Sequence, residues 1–189
     1  MNLPNMLTWM RILAIPLVVL LFMLGHRNPA GPWDVSAGLV FAAAAITDSL
    51  DGYLARRLGQ TTALGAFLDP VADKLVVATA LVLLASRDPR LVIVIPALVI
   101  IGREITISAL REWMSELGQR TKVAVSAIGK YKTIVQMVGL SLLLYRRDLV
   151  GLPMYLIGTW LTLGSALLTL FSMLVYLRAA MPYLRGRSR

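Results

Sequence analysis

Long apolar stretches, broken only by short polar turns, occupy most of this 189-residue chain. Six can be marked, roughly over 6–24, 34–56, 69–86, 91–114, 122–145 and 152–179. Each approaches the roughly 20 apolar residues that a helix needs to cross a bilayer. The gaps carry helix breakers and charge: Gly25 to Pro32, Gly59 to Thr62, Arg87 to Pro89, Gly118 to Thr121 and Asp148 to Pro153. In hydrocarbon every backbone polar group must be satisfied internally, so such runs fold as helices. The expectation is an all-α, polytopic membrane protein with six transmembrane helices. The gaps leave no room for a second unit, so residues 1–189 are read as a single domain.

Composition narrows the function classes. Hydrophobic residues make up 58% of the chain and charged residues 15%, against about a quarter charged in soluble domains. The net charge of +9 and the pI near 10.5 fit nucleic acid or an anionic lipid surface. The basic residues are scattered over short loops and helix ends, which favours lipid and argues against nucleic acid. Cysteine is absent, which excludes disulfides and thiolate chemistry. The start, MNLPNMLTWMRILAIP, has neither a basic leader nor a small-residue cleavage site, and reads as a retained first helix.

Loop charge sets the expected orientation. With both termini in the cytoplasm, that side holds Arg56, Arg57, Arg111, Arg120, Lys122, Lys130, Lys132, Arg178, Arg185, Arg187 and Arg189. The other side holds Arg27, Arg87, Arg90, Arg146 and Arg147. Positive residues concentrate on the cytoplasmic face of membrane proteins, so the termini are expected inside.

Of ten acidic residues, four fall between positions 48 and 73. Asp48 and Asp51 are three apart, and Asp69 and Asp73 are four apart, so each pair projects from one helix face. The Gly59–Thr62 turn joins the two helices, and both pairs can converge on one cavity near the cytoplasmic surface. A carboxylate at mid-membrane costs about 2.5–3.5 kcal/mol, which a shared cation would offset. Hard oxygen ligands without His or Cys select Mg²⁺ or Mn²⁺ over zinc. Four carboxylates can hold two such ions about 3.5–4 Å apart, an arrangement suited to phosphoryl transfer. The plainer alternative is that these acids only pair with Arg56, Arg57 and Lys74. Gly52 and Gly65 argue against it, because glycine beside an acid leaves room for a ligand to approach backbone.

The string D-x₂-D-G-x₂-A-R-x₈-G-x₃-D-x₃-D is matched from Asp48 to Asp73 without departure. By it the chain resembles the CDP-alcohol phosphotransferase family. The resemblance implies that Asp48, Asp51 and Asp69 hold two divalent cations and that Asp73 is the general base, also touching the second metal. It implies that Gly52, Ala55 and Arg56 hold the CDP moiety of a CDP-lipid, with Thr62 assisting at the diphosphate. The chemistry agrees: a pyrophosphate needs cations around it, and an attacking hydroxyl needs a base. Asn5 and Thr8, three apart on the first helix, either contact the cytidine or phosphate or cap the helix.

The motif does not name the acceptor alcohol. Asn2 to Pro16, Gly102 to Trp113 and Lys122 to Thr133 resemble bacterial phosphatidylglycerophosphate synthases. That resemblance implies CDP-diacylglycerol and sn-glycerol 3-phosphate as substrates, a bacterial cytoplasmic (inner) membrane location with the site on the cytoplasmic side, and a homodimer. A dianionic acceptor needs a basic pocket, and Arg103, Arg111, Lys122, Lys130 and Lys132 are its candidates. Arg103 and Lys130 are the first choices for the acceptor phosphate; Arg103 lies in an apolar run, where facing the acceptor is preferred over the alternative of a pair with Glu104. Arg111, Lys122 and Lys132 also fit plain positive-inside anchoring. Two rivals stay open: the same transfer to serine, inositol phosphate or phosphatidylglycerol, and a divalent-cation transporter using the acids as its path. Transport would need polar residues continuing to the opposite face.

Overall fold

The computed structural model describes residues 3–58, 63–116, 118 and 127–184, with side chains described over 9–47, 65, 67–116, 118, 131–178 and 180–181. Its elements are six α-helices: α1 Leu3–Arg27, α2 Trp33–Leu58, α3 Ala63–Arg87, α4 Leu91–Glu116, α5 Ala127–Tyr145 and α6 Met154–Leu184. The six expected stretches thus appear as six helices, with boundaries shifted by a few residues; the expected start of the fifth at 122 lies outside the described residues, and two other differences are larger than three residues. The stretch expected to open at 69 begins instead at Ala63, and Pro70 lies inside α3. An Asp-Pro step reads as a helix boundary, but membrane helices tolerate a proline where neighbours re-satisfy the freed backbone group. The last helix runs five residues past the expected 179 to Leu184.

Three helices are long and apolar enough to cross a membrane among the described residues: Trp9–Arg27, Leu91–Glu116 and Met154–Arg178. Within the residues whose side chains are described, α2 and α5 contribute the apolar portions Trp33–Thr47 and Tyr131–Tyr145. Charge is the reason that α3 falls short, because it carries Asp69, Asp73 and Lys74 in its first half.

The packing inverts the soluble pattern. Large apolar side chains face outward, such as Leu13 at 64% exposure and Trp160 at 67%, while Arg11, Asp34, Arg103, Lys132 and Gln136 are buried. Outward apolar faces and inward charges mark a protein whose solvent is lipid. An apolar core of Val18, Phe22, Phe41, Leu81, Ile100 and Leu143 joins the helices.

α1 packs on α2 and α3, α2 on α5, α5 on α6, and α6 on α4, whereas α3 meets α4 and α5 only lightly. The crossing of α5 on α6 is close. A Cβ at Gly158 would lie 2.8 Å from the Gly139 carbonyl oxygen, so only glycine permits that approach. Along α6 the buried hydroxyls of Ser165, Thr169 and Ser172 donate to the carbonyls of Thr162, Ser165 and Thr169. Hydroxyls satisfied within their own helix can face a membrane core at little cost.

Charges at the opposite end from the acids are consumed structurally. Arg87 of α3 donates to Asp34 of α2 at 2.6 and 3.1 Å and stacks over Phe22 of α1. Arg147 donates to the carbonyls of Pro29, Ala30 and Gly31. Arg90 pairs with Asp88, which also accepts from the Tyr155 hydroxyl. Three of the five cations counted on that face therefore hold loops and helices together.

Candidate functional site

The light packing of α3 against α4 and α5 leaves a cavity of about 250 Å³ between them. Asp73 and Lys74 of α3, Glu104 and Arg111 of α4, and Lys132 and Gln136 of α5 line it. Each sits there by helical register. Asp69 and Asp73 are one turn apart, and so are Lys132 and Gln136.

Asp73 has a side chain 42% exposed and is held by Arg11 of α1 at 2.5 Å. Arg11 is itself buried, so the pair ties α1 to the cavity wall. Asp69 lies half-buried one turn earlier, and Gly65 is buried a further turn back. Asp48, Asp51, Gly52, Ala55 and Arg56 fall on α2, which runs to Leu58. Their side chains lie outside the described residues, as do those of Asn5, Thr8 and Lys130. Thr62 and Lys122 lie wholly outside them.

The described acceptor candidates separate into two kinds. Arg111 and Lys132 line the cavity. Lys132 is buried and donates to Glu104 Oε1 at 3.1 Å. Arg111 donates to the Tyr176 hydroxyl at 3.2 Å and lies over that ring. Arg103 turns the other way, toward α6. It donates to Glu104 Oε1 at 2.9 Å and Ser172 Oγ at 3.2 Å, and stacks 5.7 Å from the centroid of Tyr176. Of the two alternatives read from sequence, the pair with Glu104 is the one formed.

Three residues at the site escaped the sequence reading: Arg11, Glu104 and Gln136. For Arg11 a signal existed, since it interrupts an apolar run as Arg103 does. Glu104 was considered only as a partner for Arg103, yet it bridges Arg103 to Lys132. Gln136 carries no charge, and nothing in its neighbourhood along the chain distinguishes it.

The donor chemistry fits hard divalent cations. Asp69 and Asp73 present oxygen ligands one turn apart on α3, and the Asp73 carboxylate reaches the cavity. No group of three or more metal-capable side chains occurs among the described residues; the Asp48 and Asp51 side chains lie outside them. A cavity with carboxylate at one wall and Arg111, Lys132 and Lys74 at the others suits an anion that must react beside a base. Apolar grooves flank it. One, of about 340 Å³, runs between α3 and α4 along Leu75, Ala78, Ile100, Ile101 and Ile105 and shares Lys74 and Glu104 with the cavity.

Comparison with known proteins gives a consistent picture. A family model described as CDP-alcohol phosphatidyltransferase matches residues 1–179. A protein of Shigella flexneri serotype 5b (strain 8401), named CDP-diacylglycerol–glycerol-3-phosphate 3-phosphatidyltransferase, is 49% identical over 170 residues, covering 88% of this chain and 91% of its own. A protein of the same name from Escherichia coli (strain K12) is 48% identical over the same shares.

Proposed function

The chain belongs to the CDP-alcohol phosphatidyltransferase family, and on that premise we propose that it transfers the phosphatidyl group of CDP-diacylglycerol to sn-glycerol 3-phosphate. The products are phosphatidylglycerophosphate and CMP. The observation that carries the acceptor assignment is the cavity itself, where Asp73 shares a wall system with Arg111 and Lys132. A base and two phosphate-binding cations are what a hydroxyl-bearing phosphate requires. The relatives carry the same reaction in their names.

In this reading Arg111 and Lys132 hold the phosphate of the acceptor and aim its primary hydroxyl at Asp73. The hydroxyl oxygen bonds to the phosphorus that carries diacylglycerol, the pyrophosphate P–O bond breaks, and CMP leaves. Asp73 takes the hydroxyl proton. Arg11 orients that carboxylate, and Glu104 keeps Lys132 and Arg103 in register. Asp48, Asp51, Asp69 and Asp73 would hold two divalent cations, Mg²⁺ or Mn²⁺, which neutralise the pyrophosphate when bound. Gly52, Ala55, Arg56, Thr62 and Gly65 would receive the CDP-lipid, with Asn5 and Thr8 beside them. Lys122 and Lys130 remain candidates at the acceptor side.

The apolar groove beside the cavity supports sideways entry of the lipid, with acyl chains left in the bilayer. We place the chain as six spans in the bacterial inner membrane, termini and site toward the cytoplasm. Engagement of Arg87, Arg90 and Arg147 in structural bonds supports that orientation, because it accounts for positive charge on the far face. The family resemblance further implies a homodimer.

The test is a product assay on purified, membrane-inserted protein with CDP-diacylglycerol and each alcohol in turn. Phosphatidylglycerophosphate and CMP are expected from sn-glycerol 3-phosphate. Turnover with serine or inositol phosphate, and none with glycerol 3-phosphate, would overturn the acceptor.

A further inference from the structure

Gln136 sits one helical turn beyond Lys132 on α5, 3% exposed, and lines the same cavity between α3, α4 and α5. Its Oε1 has no hydrogen-bond partner among the described residues. Buried side-chain oxygens are paired in the great majority of cases, and an unmade bond there is costly. Lys132, Arg111 and Thr133 line the same cavity, yet none of them donates to the Gln136 oxygen among the described hydrogen bonds. The amide is therefore left with hydrogen-bonding capacity that the described residues do not fill.

Glu104 lines the same cavity. Both bonds that Glu104 accepts, from Arg103 and from Lys132, fall on Oε1. Its Oε2 accepts none from the described residues, and the side chain is 28% exposed at the cavity. The phosphate side of the cavity is already provided by Lys132 and Arg111. What remains is a neutral amide, able to donate and accept, in the same cavity as a carboxylate oxygen, which only accepts. The carboxylate repels a phosphate; with the amide N–H beside it the pair suits an alcohol hydroxyl, which can accept from Gln136 and donate to Glu104.

We propose that Gln136, with Glu104 Oε2, reads the hydroxyl of the acceptor that does not react, so that the cavity selects a phosphorylated vicinal diol over a phosphorylated mono-alcohol. This rests on the acceptor reading above and adds to it. The phosphate is bound by cations and the attacking hydroxyl is set by Asp73. The carbon between them carries the remaining hydroxyl, and Gln136 supplies its partner.

The experiment compares kcat/KM for sn-glycerol 3-phosphate and for 3-hydroxypropyl phosphate, which keeps the phosphate and the primary hydroxyl but lacks the middle one. Membrane-inserted wild-type protein is expected to favour the diol about tenfold, the scale of one hydrogen bond whose loss leaves a buried group unpaired. Gln136→Met, of similar length and without hydrogen-bonding groups, is expected to lose about that factor on the diol and to stay within about twofold on the mono-alcohol. Retained turnover of the mono-alcohol is the internal check that the variant is folded. Equal use of both acceptors by the wild type overturns the inference without any variant, and so does an equal loss on both in Gln136→Met. Absence of any wild-type turnover with glycerol 3-phosphate would instead overturn the acceptor reading on which it stands.

Discussion

At the far end of the bundle, Arg87 spends two hydrogen bonds on Asp34, and Arg147 spends three contacts on the carbonyls of the α1–α2 turn. Gly25 allows Asp34 its position, since a Cβ there would collide with that carboxylate. At the cavity end the same residue types are arranged differently. Asp73 keeps 42% of its side chain exposed, Glu104 leaves one oxygen uncommitted among the described residues, and Gln136 Oε1 has no partner among them. Both regions bury charge in a protein that faces lipid. One closes its charges on each other and gains rigidity; the other leaves capacity for ligands. A charged residue inside a membrane helix is thus not a functional residue by its type alone, and the direction of its hydrogen bonds decides.

The largest difference between the two ends is expected in turnover. Asp73→Asn should lower kcat by about 10²–10⁴-fold, the usual range for a lost general base, while CDP-lipid binding persists. Near wild-type turnover would transfer the proton to another group. Asp34→Asn should behave in the opposite way. It leaves Arg87 buried without its counter-charge and should destabilise the bundle by about 3–5 kcal/mol, read as a lowered thermal midpoint in detergent. Its KM values in surviving folded protein should stay those of the wild type. A KM change without a stability loss would erase the distinction between the two regions.

Smaller effects sharpen it. Arg111→Ala or Lys132→Ala should raise the KM for glycerol 3-phosphate by roughly 10- to 150-fold, since a charge-assisted bond contributes about 1.5–3 kcal/mol. The KM for CDP-diacylglycerol should move little. Arg103→Ala should instead reduce stability and kcat together, because Arg103 faces Ser172 and Tyr176 and holds Glu104. An acceptor-specific KM effect at Arg103 equal to that at Arg111 would return it to the cavity. The smallest effect is at Asp88, in the loop between α3 and α4. The hydrogen bond from Arg90 holds its carboxyl well below the usual range, opposed by partial burial and assisted by Tyr155. A depressed folded value means that the contribution is present above the unfolded value near 3.9 and is lost as pH falls through the folded one. Asp88→Asn should therefore flatten the acid limb of a stability–pH curve below about pH 4, with kcat unchanged at neutral pH.

Several features of the protein were readable along the chain because they are local or periodic. The apolar runs specify helices, since a membrane segment has no other way to satisfy its backbone. The spacing of Asp48 to Asp51 and of Asp69 to Asp73 puts each pair on one face, which follows from the helical repeat alone. The start of α3 reads two ways: the apolar run opens at 69, beside the boundary-like Asp69-Pro70 step, whereas the Gly59–Thr62 turn points to Ala63, where the helix begins. Arg103 shows a deeper ambiguity. Its position in an apolar run marked it as a buried cation, but a helix exposes several directions, and only the neighbour decides which is used. α6 packs on α4 and offers Ser172 and Tyr176, so Arg103 turns there.

From sequence alone came the helical class, the acid constellation with its motif, and the existence of a basic cluster near it. Tertiary structure alone decided that Arg11 of α1 meets Asp73 of α3, that Arg111 and Lys132 rather than Arg103 face the cavity, and that Gln136 is stranded within it. The physical reason is separation: those pairings join helices 28 to 69 residues apart. Helical periodicity orders side chains within one helix, whereas contacts between helices depend on how the six pack.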